Sequence, residues 1–534
     1  WDKWQLHNGN KATFFPSPAA VGAAAPAAGA SAPKAGVASV PGSTAPAVAS
    51  IGASAVPGTP APAASVAREK IEVTTDVYRL TFDGEGGSLV RAELLKHADL
   101  TDKTKNFVLF DESTQRVYVA QTGLVGGSLP YHKTVMTAAP GSRDLKDGEN
   151  EISIRFESPE QGGVKLIKTW TMKRGAYDIS VKHEVANLGN TSVSPQLYLQ
   201  LVRDGNKPPG ESSFYSTFTG PAVYTDAKKY QKIEFTDIKN KKFSIPPEST
   251  DGYIAMVQHY FASAWLLPDG VKREMRLDSP DFGANTPDCC YRVQMITPFG
   301  ELASGQSKTI DARLFAGPQV ETILKELAPG LELVKDYGML AILSKPLYWL
   351  LDQLHKLLGN WGWSIVALVL LLKIAFYWLN AKAYASMAKM KAINPKIMEL
   401  RERLKDKPQQ MQQEMMRIYR EEKVNPMGGC FPIMIQIPVF IALYWVLLSS
   451  VEMRNAPWIG WIHDLSAPDP FFILPLLMTL SSLLQTALNP APPDPMQAKM
   501  MWFMPLIFSV MFFFFPAGLV LYWLTNNILS IAQQ

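Results

Sequence analysis

The sequence predicts a multi-domain membrane protein: a large antiparallel β-sandwich followed by an α-helical bundle of five transmembrane helices with a cytoplasmic helical hairpin. Three observations predict it. An Ala/Pro-rich stretch opens the chain, short hydrophobic runs of period 2 follow, and five long apolar runs occupy the last third. The 534 residues are 47% hydrophobic and only 19% charged, whereas soluble domains average about 25% charged.

The net charge and the cysteine content argue against a nucleic-acid-binding protein, a disulfide framework and a zinc site. A net charge of +4 is too small for nucleic acid to be the main partner. Three cysteines exclude a disulfide framework, and no Cys/His spacing is typical of a zinc site.

Residues 1–67 are expected to be the end of a membrane anchor and a disordered tether. Ala, Pro, Gly and Ser dominate residues 14–67, and such a stretch cannot bury enough apolar surface to offset its ordering entropy. Trp1 and Trp4 resemble the aromatic edge of a membrane segment. Because the chain begins without Met, we expect an N-terminal anchor to precede Trp1.

Residues 68–318 are expected to form the β-sandwich. Runs with period-2 character are separated by Gly, Pro, Asn or Asp, which indicates antiparallel strands. The predicted strands are Ile71–Phe82, Glu151–Phe156, Val164–Lys173, Tyr177–Val185, Gln196–Val202, Ala262–Leu267, Tyr291–Ile296 and Lys308–Phe315. Cys289 and Cys290 would point to opposite faces of a strand, which favours two free thiols over a vicinal disulfide.

No catalytic constellation is evident in the sandwich. Four scattered histidines (His97, His132, His183 and His259) lack a motif, so each is interpreted as a solvated or core residue. Sandwiches of this size also bind or isomerise sugars. A membrane-anchored sugar-binding or sugar-converting protein therefore remains an alternative.

Residues 319–358 are expected to be connecting helices. Helical spacing spans Val320–Leu327 and Leu331–Leu358, and the second segment has leucines on one side and charged residues on the other. This pattern predicts an amphipathic helix in the membrane interface. A buried soluble helix is the alternative.

Residues 359–534 are expected to be the membrane core. The apolar runs are Trp361–Leu379, Phe431–Ser449, Phe471–Leu488, Met500–Phe515 and Leu519–Ile531. The last two are short, and the break at Pro516, Ala517 and Gly518 predicts a tight hairpin between them.

Loop charge predicts the orientation of these spans. The 381–430 loop carries eleven basic residues, whereas the 450–470 loop carries only Arg454. The first loop should be cytoplasmic, and the second loop and the sandwich should be periplasmic. Apolar stripes through Ile393, Ile397 and Met415 predict a helical hairpin over 381–428. Its basic residues include Lys389, Lys391, Arg401 and Arg403. This basic, Met-rich surface suits nascent chains, ribosomes or lipid headgroups.

Lys373 is the most informative residue. It lies inside the first span, where a lysine costs about 2.5–3.5 kcal/mol and usually faces a cavity or partner. The other spans contain no Asp or Glu, so their polar residues are neutral. Those expected to line a wet, positively charged groove with Lys373 are Gln436, Gln485, Thr525 and Asn526. Extension of Lys373 to the headgroups is the alternative.

Several motifs resemble the YidC family of bacterial membrane insertases in its Gram-negative form, over about 340–534. The motifs are Ser386-Met387-Ala388-Lys389-Met390, Asn394-Pro395-Lys396, Gln413-Glu414-Met415-Met416, Lys423-Val424-Asn425-Pro426-Met427-Gly428-Gly429-Cys430-Phe431-Pro432, Trp461-Ile462-His463-Asp464-Leu465, Asp494-Pro495-Met496-Gln497 and Phe515-Pro516-Ala517-Gly518-Leu519-Val520-Leu521-Tyr522-Trp523. Lys373 occupies the place of a basic residue that is more often Arg in the family. Tyr377-Trp378-Leu379 replaces the family's Tyr-Pro-Leu, so no proline kink is expected. The basic C-terminal tail of the family is not seen after Gln534.

The resemblance implies a non-enzymatic insertase and chaperone of the inner membrane that uses no cofactor. Implied partners are nascent membrane proteins, the SecYEG translocon with accessory Sec proteins, ribosomes and targeting factors, and the lipid bilayer. The groove would open to the cytoplasm and lipid, and substrates would slide along Phe431–Ser449 and Met500–Phe515. The slide candidates are Ile433, Ile437, Phe440, Met504 and Phe508. Core packing is the alternative for each. A small-solute transporter is the third function class, but it predicts internal repeats, which the sequence lacks.

Overall fold

A β-sandwich followed by a helical region makes up the computed structural model, and this confirms the predicted two-part fold class. The structure describes residues 69–126, 128–210, 217–279, 289–404, 407–422, 431–489 and 495–533. The predicted anchor and tether at 1–67 lie outside the described residues.

Two nine-stranded antiparallel sheets form the sandwich within the described residues. The strands are β1 Lys70–Thr74, β2 Tyr78–Asp83, β3 Ser88–Ala98, β4 Asn106–Glu112, β5 Val117–Val125, β6 Thr137–Ala138, β7 Glu151–Glu157, β8 Val164–Lys173, β9 Asp178–Asn187, β10 Gln196–Arg203, β11 Gly220–Thr225, β12 Lys229–Lys232, β13 Glu248–Ser249, β14 Tyr253–Gln258, β15 Phe261–Leu266, β16 Arg273–Asp278, β17 Tyr291–Pro298 and β18 Ser307–Pro318. One sheet has the order β1-β2-β3-β4-β5-β10-β17-β16-β13, and the other β12-β11-β14-β15-β18-β9-β8-β7-β6.

Alternating side chains build the sandwich core. Along β7, Ile152, Ile154 and Phe156 are buried while their neighbours face solvent. The indoles of Trp170 and Trp265 meet between the sheets with ring centroids 6.0 Å apart. This period-2 pattern is what made these strands predictable.

Three details of the sandwich differ from prediction. Strands β3–β6, β11–β14 and β16 lie outside the predicted runs. The run Ile71–Phe82 is two strands, because Thr75 Oγ1 accepts hydrogen bonds from the backbone N–H groups of Val77 and Tyr78 and turns the chain. Cys289 and Cys290 form a vicinal disulfide, so the prediction of two free thiols is wrong. The two cysteines precede β17, so strand alternation does not separate their side chains.

A buried cluster of Lys168 and two histidines links the two sheets in the sandwich core. Lys168 Nζ donates to the carbonyl oxygens of Gly86 and Thr122 at 2.5 and 2.7 Å, and burial lowers its pKa to about 7. His132 Nδ1 lies 2.5 Å from Tyr198 Oη, and His183 Nε2 lies 3.0 Å from Thr122 Oγ1. Burial, and after it the charge of Lys168, lowers the pKa of both histidines to about 3.

The helical region begins after β18. A short helix, α1, lies within the sandwich, and the remaining helices follow it in chain order. They are α1 Phe235–Lys239, α2 Glu321–Leu327, α3 Ala341–Leu358, α4 Trp361–Ala375, α5 Tyr377–Arg403, α6 Pro408–Glu421, α7 Phe431–Ser449, α8 Ile473–Leu488, α9 Pro495–Phe512 and α10 Ala517–Gln533. Among the described residues no helix alone has the length and hydropathy of a membrane span. The pair α4 and α5 meets both criteria together, although it is bent by 61°.

Helix α3 buries part of its leucine side, and the hairpin buries its apolar stripes. Leu351 of α3 is buried in the core of the helical region, whereas Leu357 and Leu358, at the end of the same side, are exposed. Ile393 and Ile397 of α5 pack against Met415 and Ile418 of α6. The predicted helical hairpin is therefore present.

The junction between the sandwich and the helices is charged and buried. Lys335 Nζ lies 3.2 Å from both carboxylate oxygens of Glu452, which also accepts a hydrogen bond from Tyr348 Oη at 2.6 Å. Arg454 donates to the carbonyl oxygen of Ala98 at 2.6 Å. Lys103 of the sandwich pairs with Asp464 at 2.8 Å. The loop after α7 is thus fixed to the sandwich.

Replacement of Glu452 by Gln is expected to destabilise this junction by about 3 kcal/mol, because the Lys335 side chain is fully buried and would lose its carboxylate. Urea unfolding of the detergent-solubilised chain measures the loss. The control is Lys356→Gln, which removes an i,i+4 pair whose lysine is 62% exposed and should cost at most about 0.5 kcal/mol. Equal losses in the two variants would contradict the assignment.

Acid is expected to destabilise the sandwich. His132 and His183 stay neutral in the folded state down to a pKa of about 3, whereas unfolded histidine protonates near 6.5. The unfolded state therefore binds more protons between these values, and stability falls as pH falls from about 6.5 toward 3. At pH 5 each histidine should cost about 2 kcal/mol.

Scanning calorimetry at pH 7.5 and pH 5 tests this expectation. The His183→Gln variant cannot protonate at this position and should lose about 2 kcal/mol less than the wild type between the two pH values. An unchanged pH dependence in that variant would show that His183 does not contribute.

Candidate hydrophilic cleft

Helix α4 positions Lys373. Its first turn is capped by Asn360, whose side-chain oxygen accepts from the Trp363 backbone N–H at 3.1 Å. A Cβ on Gly362 would lie 2.2 Å from Trp458 Cδ1, so only glycine permits this approach of the helix to the loop after α7. These two contacts fix the N-terminal end of α4. Lys373 lies near the C-terminal end of the same helix.

A bend at Phe376 completes the local geometry. The helix is interrupted there, and α5 leaves at 61° to α4. No proline is present at this point, in line with the predicted lack of a proline kink, but the predicted span Trp361–Leu379 is still broken. The bend directs Leu379 and Asn380 to the same cleft as Lys373.

The cleft lies between α4, α5, α7 and α10. Its polar lining consists of Lys373, Asn380, Gln436, Tyr522 and Asn526. No acidic residue is among the described residues that line it. Its lining residues are Val369, Leu372, Lys373, Phe376, Leu379, Asn380, Gln436, Val439, Tyr522 and Asn526.

Neutral groups hold the Lys373 ammonium. Its Nζ donates to Ser530 Oγ at 2.7 Å, and Ser530 Oγ donates to the carbonyl oxygen of Asn526 at the same distance. Gln436 Nε2 donates to Asn526 Oδ1 at 3.1 Å across the cleft. A hydroxyl partner accepts a hydrogen bond without neutralising the charge, so the cleft keeps a positive potential.

Two predicted lining residues lie elsewhere. Thr525 is 9% exposed and donates to the carbonyl oxygen of Leu521 in its own helix at 2.8 Å. Gln485 lines a second pocket, between α8, α9 and α10, together with Met504 and Phe508. Sequence reasoning could not separate the two pockets, because adjacent α10 residues face different ones: Asn526 faces Gln436, whereas Asn527 donates to Ser482 Oγ at 2.8 Å.

The predicted slide residues divide into two groups. Ile437, Met504 and Phe508 are exposed, as an apolar contact surface requires. Phe440 instead packs against Trp523, with ring centroids 4.3 Å apart. The side chain of Ile433 lies outside the described residues.

The basic residues of the hairpin lie on its surface. Lys389, Lys391 and Arg403 are exposed, and Arg401 is half-buried. Asn380 and Ser530, which complete the cleft, were not predicted. The polar position of Ser530 one helical turn after Asn526 is the signal that could have indicated it.

Known proteins resemble the chain over its whole length. Residues 70–350 match the family described as YidC periplasmic domain, and residues 353–534 match the family described as 60Kd inner membrane protein. A membrane protein insertase YidC of Cupriavidus necator is 55% identical over 534 residues, covering 100% of this chain and 93% of that protein.

Solved structures give weaker likenesses. A crystal structure of an active YidC insertase has 19% identity and a TM-score of 0.40, covering 87% of this chain and 91% of that chain. A galactose mutarotase related enzyme from Lactobacillus acidophilus has 7% identity and a TM-score of 0.30, covering 46% of this chain and 97% of that chain. Both scores are too low to support a functional argument.

The fold and the cleft define a two-part membrane protein, in which a β-sandwich precedes helices that hold an unneutralised lysine in a polar cleft. Given the two family matches and the identity over its full length, the chain belongs to the YidC family of membrane protein insertases. This membership decides against the sugar-converting and solute-transporting alternatives. It also identifies the sandwich as a periplasmic domain and the whole as an inner-membrane protein.

Thiol labelling is expected to distinguish the cleft face of α10 from its buried face. In a Cys430→Ser background, Asn526→Cys should react several-fold faster with a water-soluble maleimide than Thr525→Cys, because only the first side chain lines the cleft. The two positions are adjacent in sequence, so each controls for the other. Equal rates would contradict the assigned lining.

Proposed function

We propose that the cleft around Lys373 receives the hydrophilic end of a newly made membrane protein while its apolar segment enters the lipid. The observation that carries the proposal is an ammonium in a polar cleft whose described lining has no carboxylate. Such a site attracts an anionic segment and has no partner with which to exchange a proton. Binding and release, without bond chemistry, is the function that this site supports best.

The energetic argument concerns desolvation. An acidic segment that crosses hydrocarbon loses its hydration, which costs several kcal/mol per charge even after relaxation. Amide groups from Asn380, Gln436 and Asn526 supply hydrogen bonds part-way across, and Lys373 supplies an attractive charge. The cleft therefore lowers the barrier without forming a water-filled pore.

The apolar segment would leave along α7 and α9. Ile437 on α7 and Met504 and Phe508 on α9 are exposed and can contact a passing helix. The thioether of Met504 adapts to different side chains. Phe440 is proposed as a support for the cleft wall, because its ring is packed against Trp523.

A multi-pass arrangement is part of the proposal. The spans would be α4 with the start of α5, then α7, α8, α9 and α10, with the 381–428 hairpin in the cytoplasm. Support comes from exposed apolar side chains along α8 and α9 and from the 450–470 loop, which contacts the periplasmic sandwich through Arg454 and Asp464. Helix α8 has 16 residues, or about 24 Å, which is shorter than a hydrocarbon core of roughly 30 Å, so the bilayer would thin there.

Partners and assistance in folding are also proposals. The exposed Lys389, Lys391 and Arg403 on the hairpin suit ribosomes and targeting factors, whose surfaces are anionic. The chain would act alone or with SecYEG and accessory Sec proteins, and would help inserted segments fold. No cofactor is required by this mechanism.

Lys373→Ala is expected to lower insertion of a single-span substrate with an acidic tail about tenfold, equal to roughly 1.4 kcal/mol of lost attraction. Lys373→Arg should insert it as well as the wild type, because the charge is kept. Protease protection of the substrate tail in proteoliposomes measures insertion.

The matched control is the same substrate with its acidic residues replaced by amides, which should depend much less on Lys373. If Lys373→Ala inserted the acidic substrate as well as Lys373→Arg does, the electrostatic part of the mechanism would be wrong.

A further inference from the structure

An exposed tryptophan and a lysine lie together at the bend between α4 and α5. Trp378 is 72% exposed, and Lys382 Nζ lies 3.7 Å from the centre of its indole ring. This is a close cation–π contact. The two residues are four apart on α5, so the contact follows from helical spacing.

The face that carries this pair is basic and open. Trp378, Lys382, Ala385 and Lys389 recur at i, i+4, i+7 and i+11, and all four are exposed. Among the described residues no carboxylate pairs with Lys382 or Lys389, whereas Lys396 farther along α5 pairs with Glu422 at 2.6 Å. A dianionic or monoanionic group fits this face.

Exposed apolar surface adjoins the basic face. Tyr377, next to Trp378 on α5, is 60% exposed, and Ile374, at the end of α4, is 63% exposed. Leu370 and Leu371 continue this apolar surface along α4. A ligand that covers the whole surface must therefore combine a negative charge with hydrocarbon.

We propose that Trp378 and Lys382, with Lys389 beside them, bind the headgroup phosphate of an anionic phospholipid whose acyl chains cover Ile374 and Tyr377. Indole rings favour the headgroup layer of a bilayer, and a lysine near the surface is attracted by anionic lipid. RNA offers phosphate and stacking surfaces but no hydrocarbon for Ile374, so lipid is the better match.

The site goes beyond insertion because it makes the cleft respond to lipid composition. Leu379 and Asn380 follow Trp378 directly and line the cleft with Lys373. A lipid bound to Trp378 in the first turn of α5 would therefore restrict the orientation of Leu379 and Asn380 in the cleft. Anionic lipid would stabilise the bent form of α4 and α5.

Native mass spectrometry of the purified full chain in detergent tests the proposal, with phosphatidylglycerol and phosphatidylcholine added at equal concentrations. The wild type should retain phosphatidylglycerol preferentially. Lys382→Gln and Trp378→Leu should each lower retention several-fold, and Lys382→Arg should keep it. The control is Lys391→Gln, the same charge change about 220° around α5 from Trp378, which should leave retention unchanged.

Each other outcome overturns the proposal. Equal loss in Lys391→Gln and Lys382→Gln would indicate non-specific charge attraction. Displacement of the lipid by millimolar inorganic phosphate would indicate a free-anion site. Loss of RNA binding in Lys382→Gln with unchanged lipid retention would assign the face to nucleic acid. All three substituted positions are exposed side chains, and unchanged thermal unfolding of the variants excludes misfolding.

Discussion

The charge of Lys373 is the constraint around which the helical region is arranged. A lysine within apolar helices costs about 2.5–3.5 kcal/mol, and a carboxylate would neutralise the charge that the cleft needs. The chain instead supplies the Ser530 hydroxyl and nearby amides from three other helices. These groups reduce the cost of desolvation and leave the positive potential in place. Helices α5, α7 and α10 supply these groups around Lys373 on α4.

The sandwich contributes by fixing the ends of the helices that form the cleft. Arg454 contacts Ala98 and lies 5.1 Å from the ring centre of Phe261, so the loop after α7 is held by the sandwich. The same loop accepts backbone hydrogen bonds from the first turn of α10, where the Gly518 N–H donates to the Leu465 carbonyl oxygen at 2.9 Å. Lys335 and Glu452 add a buried ion pair to this junction. The periplasmic domain thereby fixes the N-terminal end of α10, the helix that carries Asn526 and Ser530.

Sequence could predict the elements with a strong period and could not predict contacts between distant elements. The alternation of Ile152, Ile154 and Phe156 predicted β7, whereas β5 and β14, which the predicted runs do not include, are buried at most positions and so lack a clear period of 2. Lys373, Gln436 and Asn526 were predictable because polar residues in apolar helices are expensive. The wrong inclusion of Gln485 and Thr525 has a physical cause: helix rotation, which hydropathy alone does not fix, decides which pocket a side chain faces.

The bend at Phe376 forms although this chain has tryptophan where the family motif has proline. With tryptophan in place of proline, Trp378 keeps its backbone N–H, so the chain itself does not force a break in the helix. Tertiary contacts must then hold the bend, and one of them is the hydrogen bond from Gln533 Nε2 to the Tyr377 carbonyl oxygen at 3.3 Å. A bend held by contacts is adjustable, whereas a bend imposed by proline is not. The same substitution places an exposed indole beside Lys382. Trp378 thus lacks the ring constraint of proline but belongs to the proposed lipid site, and a lipid bound there would stabilise the bend.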